Sequence, residues 1–286
     1  MTALDPFGRT DSITGKPDFR RHKGTDQPYV VPAGATKGQW YTRMSQLGEP
    51  LANSYLLDRR NNRHTAYGML DHDLRARLVA IGEPPSGWSK DHAREVDDVV
   101  ATAQHRAGAF DARDLGTYIH SLVERINLGK HVDGGQYEAD LEAYRQIVAE
   151  LGWVIEPQYV ECKLACDALR GAGTADVLPF VPSIHMRCIA DLKTGTSVEF
   201  GVEKHACQLA GYANSDLYDP TDDSRTPLDV STEVGYLIHL PAGQGRCSIY
   251  EVDLVAGFKA ARLANTVTAV RKAAKGWATK VHEVAA

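Results

Sequence analysis

"GTADVLPFVPSIHMRCIADLKTG", residues 173–195, holds two short apolar strands that each end on a carboxylate, Asp176 and Asp191. A buried strand avoids such residues, because an unpaired charge is costly to take out of water. The two aspartates therefore read either as surface positions on an edge hairpin or as anions with something cationic between them. Lys193 stands two residues after Asp191, and side chains at that spacing on a strand project to one face.

The surroundings read as a mixed fold. Before the quoted stretch, "WVIEPQYVECKLA" (153–165) reads as a strand, and strands are expected around 175–181 and 185–192. After it, 203–217 returns to helical spacing, "EVGYLIHL" and "GRCSIYEVDL" read as a hairpin, and 255–276 as a last helix. Upstream, "DHAREVDDVVATAQHRAGA" reads as a helix. "DARDLGTYIHSLVERINLG" is another, with Asp111 as N-cap and Gly129 as stop, and a third covers about 137–151 up to Gly152. Residues 40–82 look largely helical, and "GEPPSGWS" (82–89) breaks the pattern. Helices, a short meander, a helix, a hairpin and a helix make an α/β chain with one mixed sheet.

The bulk numbers agree with a globular chain. Of 286 residues 43% are hydrophobic, enough for a core, and no apolar run reaches the length of a membrane span. The first residues lack the apolar stretch of a secretory signal, so a cytoplasmic protein is expected. The five cysteines, Cys162, Cys166, Cys188, Cys207 and Cys247, form no C-x-x-C pair and are expected as reduced thiols. A net charge of -5 obliges any nucleic-acid binding to concentrate basic residues in one groove. Residues 1–39, with "RRHK" at 20–23, are expected as a flexible basic arm.

Four short motifs follow one another. "GTYIHSLVE" sets Gly116, His120 and Glu124 four apart on one helix face. "GTAD" ends on Asp176, "DLKTG" carries Asp191 and Lys193, and "QLAGY" sets Gln208 and Tyr212 four apart on the following helix. In order and residue type these motifs resemble the RecB-like branch of the PD-(D/E)XK nuclease superfamily. The matched core runs from about residue 113 to 217. The resemblance implies a restriction-endonuclease-like core, a mixed central sheet flanked by helices, over 111–286, with an N-terminal helical extension over 40–110. It implies that His120, Asp176, Asp191 and the Leu192 carbonyl hold a metal ion and that Lys193 is the catalytic lysine. Gln208 and Tyr212 would support the site or touch the DNA backbone. Glu124 would bind a second metal or fix a water, and Glu161, on the preceding strand, would face the same site.

The chemistry of phosphodiester hydrolysis asks for such a set. Water must reach a phosphorus shielded by negative oxygens, and a hard divalent cation offsets that charge and acidifies water. Mg²⁺ prefers oxygen ligands, and an imidazole, a softer ligand, makes Mn²⁺ a credible alternative. A lysine beside the metal can orient the nucleophile and stabilise developing charge.

"WYTRMSQLGEPLANSYLLDRR" (40–60) is similar to the Y-T-R-x-(S/T) segment ahead of the nuclease core in exonuclease-like proteins of actinobacterial phages. Tyr41, Arg43, Arg59, Arg60 and Arg63 read either as a nucleic-acid-binding wall that tracks a strand and stacks bases or as the solvated face of an amphipathic helix. CRISPR-associated spacer-acquisition nucleases hold an iron–sulfur cluster with one cysteine before the core and three near the C-terminus. That arrangement is missing here, so no cluster is expected. The cysteine spacings match no zinc module. No P-loop is present, so ATP-driven unwinding would come from a partner, a helicase or recombination protein. The expected function is a metal-dependent DNA exonuclease of phage or bacterial recombination, replication or processing, acting on ends or single strands. The alternatives are a structure-specific or restriction-like endonuclease, or an inactive DNA-binding or partner-recruiting protein on the same fold.

Overall fold

The computed structural model describes residues 13–82 and 87–283. It divides into two compact units, one of residues 13–52 with 119–283 and one of residues 53–118. The break expected at 82–89 lies partly outside the described residues. Among the described residues, no helix is long and apolar enough to cross a membrane.

The first unit is α/β. Short strands β1 (Tyr29–Val30), β2 (Gln39–Trp40) and β3 (Thr42–Arg43) precede β4 (Val160–Cys166), β5 (Gly171–Val177), β6 (Phe180–Val181), β7 (Met186–Arg187) and β8 (Ala190–Lys193). They are followed by β9 (Asp216–Tyr218), β10 (Arg225–Pro227), β11 (Val234–His239) and β12 (Ser248–Asp253). The helices are α1 (Tyr55–Gly68), α2 (His72–Ile81), α3 (Lys90–Arg106), α4 (Asp111–Asn127), α5 (Glu138–Glu150), α6 (Val202–Ala213) and α7 (Leu254–Ala273). An eight-stranded mixed sheet runs β10-β9-β4-β5-β8-β11-β12, with β3 parallel to β5.

Successive strand residues alternate between faces, and the core follows that period. Cys162, Leu164 and Cys166 of β4 pack with Ala175, Leu237 and the α6 residues Cys207 and Ala210. Ala165, between them in sequence, packs with Phe19, Val30, Tyr41, Ala172 and Tyr218 in a separate cluster. The cysteines of β4 and α6 thus serve as small apolar residues. α7 buries Leu254, Gly257, Ala261 and Ala264, a helical stripe of mostly small residues. At Gly257 an added Cβ would come within 2.4 Å of the Ala206 carbonyl on α6, so only glycine permits this close approach.

Several boundaries differ from the sequence reading. The helix expected over 203–217 stops at Ala213. Asn214 Nδ2 donates to the Ala210 carbonyl at 2.9 Å, and the chain beyond pairs Leu217 with Leu164 of β4. The first of the long strands starts at Val160, after a 3₁₀ turn over Pro157–Tyr159. Residues 40–51, expected as helix, form short strands and two 3₁₀ turns. Residues 13–39 do not form a free arm, because Phe19 and Val30 are 4% and 0% exposed against the sheet.

The second unit packs α1 and α2 on α3 around Leu74, Val99 and Ala103. α4 spans the division, and its residues from Ile119 onward, His120 and Glu124 among them, belong to the first unit.

Candidate active site

β5 and β8 pair at Val177–Ala190 alone, which sets Asp176 and Asp191 at the next step along each strand. The carboxylate of Asp176 takes the main-chain hydrogen there: Leu192 N–H donates to Asp176 Oδ2 at 2.8 Å. The same oxygen lies 3.6 Å from His120 Nδ1. Asp191 is 4% exposed. Its Oδ1 accepts from Gln208 Nε2 at 2.9 Å. Its Oδ2 lies 2.5 Å from Lys193 Nζ, yet the approach is off-line and that buried oxygen has no hydrogen-bond donor among the described residues. Tyr212, 3% exposed, donates to the Thr174 carbonyl at 2.6 Å. α6 thus braces the site from Gln208 and Tyr212, one turn apart.

His120, Glu124, Asn127, Glu161, Asp176 and Leu192 line one pocket of about 10 Å³, room for a single water or ion. Glu124 Oε1 accepts the Thr14 N–H at 3.2 Å. The β4–β5 ladder pairs Val160 with Val177 and Cys162 with Ala175, so Glu161 stands opposite Asp176. Glu161 adopts φ +52°, the left-handed region that a non-glycine residue enters at a cost of about 1–3 kcal/mol. Burial pushes its carboxyl up to about 8, helped by the charges of Asp176 and Glu124. Burial likewise raises Asp176, and the negative charge of Asp191 raises it further, while His120 and the Leu192 hydrogen bond pull the other way.

Among the described residues, no three His, Cys, Asp or Glu side chains close to ligating distance. The donor set nonetheless fits a hard divalent cation. One buried oxygen of Asp191 is faced by the Lys193 ammonium alone, the carboxyls of Glu161 and Asp176 are penalised by burial and by one another, and the His120 imidazole lines the same pocket as those two. All these groups are oxygen or imidazole ligands, as Mg²⁺ or Mn²⁺ would require.

The residues expected to bind nucleic acid fare differently. Tyr41 is 2% exposed and its hydroxyl donates to Asp167 Oδ1 at 2.7 Å, so its ring is core and has no face to offer a base. Arg43, partly exposed, pairs with Asp26 at 2.9 Å. Arg59, Arg60 and Arg63 lie on α1 in the second unit, where Arg60 donates to the Ala109 carbonyl at 3.2 Å. Lys16, Asn127 and Lys163 were not singled out by the sequence. The period-two spacing of Glu161 and Lys163 on one strand was the legible signal for the last. Compared with family models and with curated proteins, the chain matches none.

Proposed function

We propose that the chain is a metal-dependent deoxyribonuclease of the RecB-like PD-(D/E)XK type, an exonuclease acting on DNA ends or single strands. The observation that carries the reading is the two sets of contacts, His120–Asp176–Leu192 and Gln208–Asp191–Lys193, centred on carboxylates of the neighbouring strands β5 and β8. Binding alone has no use for two partly desolvated carboxylates with a lysine at their side.

Asp176, Asp191, the Leu192 carbonyl and His120 would hold a divalent cation, and Glu161 and Glu124 line the pocket with His120 and Asp176. Bound there, the cation supplies Lewis acidity toward a phosphate oxygen and toward water. Gln208 fixes the Asp191 carboxylate, and Tyr212 fixes α6 against β5. The ammonium of Lys193 stands where it can orient the attacking water and stabilise the extra negative charge at phosphorus. Water oxygen bonds to phosphorus and gives up a proton to solvent, the P–O bond to the leaving nucleotide breaks, and the leaving oxygen takes a proton from solvent.

The test is digestion of 5′- and 3′-labelled linear DNA and of a circular single strand, with Mg²⁺ or Mn²⁺ and with EDTA. Linear substrates are expected to be degraded only with metal, and the circle to stay intact. Asp191→Ala is expected to abolish cleavage while sparing DNA binding. Undiminished digestion by that variant would refute the site.

A further inference from the structure

β4 meets β9 only at Leu164–Leu217 and Ala165–Asp216. Among the described residues no strand pairs with its outer edge from Val160 to Lys163. Lys16 closes that edge instead: its Nζ donates to the Gln158 carbonyl at 2.9 Å and to the Val160 carbonyl. Beside it opens a cavity of about 280 Å³ that reaches the turn between β9 and β10.

Lys163 lines this cavity and is 7% exposed. Its ammonium makes no hydrogen bond or close ion pair among the described residues. The nearby carboxylate of Asp18 is already bonded to Arg21 and to the Phe19 N–H. The carboxylate in the cavity wall, Asp219, accepts the Thr221 N–H at 2.8 Å. Two lysine charges thus face one carboxylate in the cavity wall. Lys163 offers three N–H bonds, Lys16 retains one, and Thr226 adds a hydroxyl. The charges of Asp18 and Glu161 act on this ammonium only from a distance, and a nearly buried ammonium without a close partner gains from an anion that joins it. A phosphate group, an anion with several oxygens, suits a site between two lysines and a hydroxyl.

One strand, β4, serves both sites: Glu161 lines the pocket at His120 and Asp176, and Lys163 lines this cavity. Lys163 stands two residues after Glu161 on one strand, a step of about 7 Å. We propose that the cavity between Lys16 and Lys163 binds a phosphate group, and that this is a phosphodiester of the bound strand next to the one hydrolysed. The second half rests on the nuclease reading; the first does not.

The experiment uses the full chain with its Lys163→Met and Lys16→Met variants, each checked by thermal melting. Methionine keeps the length of the buried stem, and Lys16, partly exposed, carries the same test should Lys163→Met fail to fold. Inorganic phosphate is titrated by calorimetry in EDTA, and a fluorescent single-stranded oligonucleotide is titrated across a salt series. Phosphate is expected to bind the parent chain and to bind each variant at least about tenfold more weakly. The slope of log affinity on log salt is expected to fall by about 0.7 for each contact removed. Phosphate bound equally by all three proteins, or by none, overturns the assignment. Phosphate lost from the variants while oligonucleotide affinity and slope stay unchanged overturns the strand half and leaves a site for free or small-molecule phosphate. A parent chain that binds phosphate here but never cleaves DNA defeats the proposed function and leaves the pocket standing.

Discussion

Asp191 carries Gln208 on one oxygen and faces Lys193 with the other, so removing either neighbour has a separate signature. Lys193→Met keeps the stem and deletes the charge. On the proposed mechanism it is expected to lower turnover by about 10²–10³-fold with melting little changed, and near-parental turnover in digestion kinetics would remove Lys193 from the chemistry. Gln208→Leu leaves Asp191 Oδ1 without its donor and is expected to cost about 1–3 kcal/mol in denaturant unfolding. Glu161 gives a pH signature. Its folded carboxyl holds its proton to about 8, above the ordinary 4.5, chiefly through burial. Its contribution to stability is therefore fully present below about 4.5 and lost as pH rises through about 8. Metal-free protein is expected to melt lower across that rise, Glu161→Gln to flatten the trend, and added Mn²⁺ to restore stability most at the alkaline end. A melting profile that Glu161→Gln leaves unchanged would contradict the assigned burial. At this scale Asp176, Asp191, Lys193, His120 and Gln208 were legible as residue types at fixed spacings. Tyr41 was not, because aromatic chemistry does not say whether a ring faces water or core.

The strands and helices that carry these groups depend on close approach. α6 brings Gln208 and Tyr212 to the site, and α7 presses on α6 at Gly257, where the Ala206 carbonyl leaves no space for a Cβ. Gly257→Ala is expected to cost about 1–3 kcal/mol in denaturant unfolding and to lower activity with it, since the helix that fixes Asp191 must shift. A variant of parental stability would mean that α7 yields freely. Gly173 of β5 is held by the same logic: a Cβ there would meet the Tyr212 hydroxyl at 3.0 Å and Met44 at 3.2 Å. This is why the start of β5 escaped the sequence reading. "GAG" has poor strand propensity, and packing against α6 and the 3₁₀ turn at Met44 overrides it. The end of α6 was misjudged for the converse reason. Helical spacing persists past Ala213, but pairing of Leu217 with β4 claims the chain.

Across the whole molecule, the largest departure is the N-terminal segment. Its polar, glycine- and proline-rich composition reads as an arm, yet Phe19 and Val30 fill a cluster with Tyr41, Ala165, Ala172 and Tyr218. Phe19→Ala is expected to cost about 3–5 kcal/mol, and deletion of residues 1–39 to lower the melting temperature of the remainder; a truncated chain melting like the parent would restore the picture of a free arm. The sequence by itself determined the α/β class, the order of most elements and the identities of the residues at the candidate site. The class and the element order follow from local periodicity, and the candidate residues from the order and spacing of four short motifs that resemble those of a nuclease family. The tertiary structure alone decided that residues 13–52 join the α/β unit, that 53–118 form a separate unit, that Glu161 and Asp176 line one pocket, and that Lys16 and Lys163 share a cavity. Each of these is a meeting of residues distant in the chain or a choice of pairing partner, and no local pattern encodes which distant surface a segment will bury against.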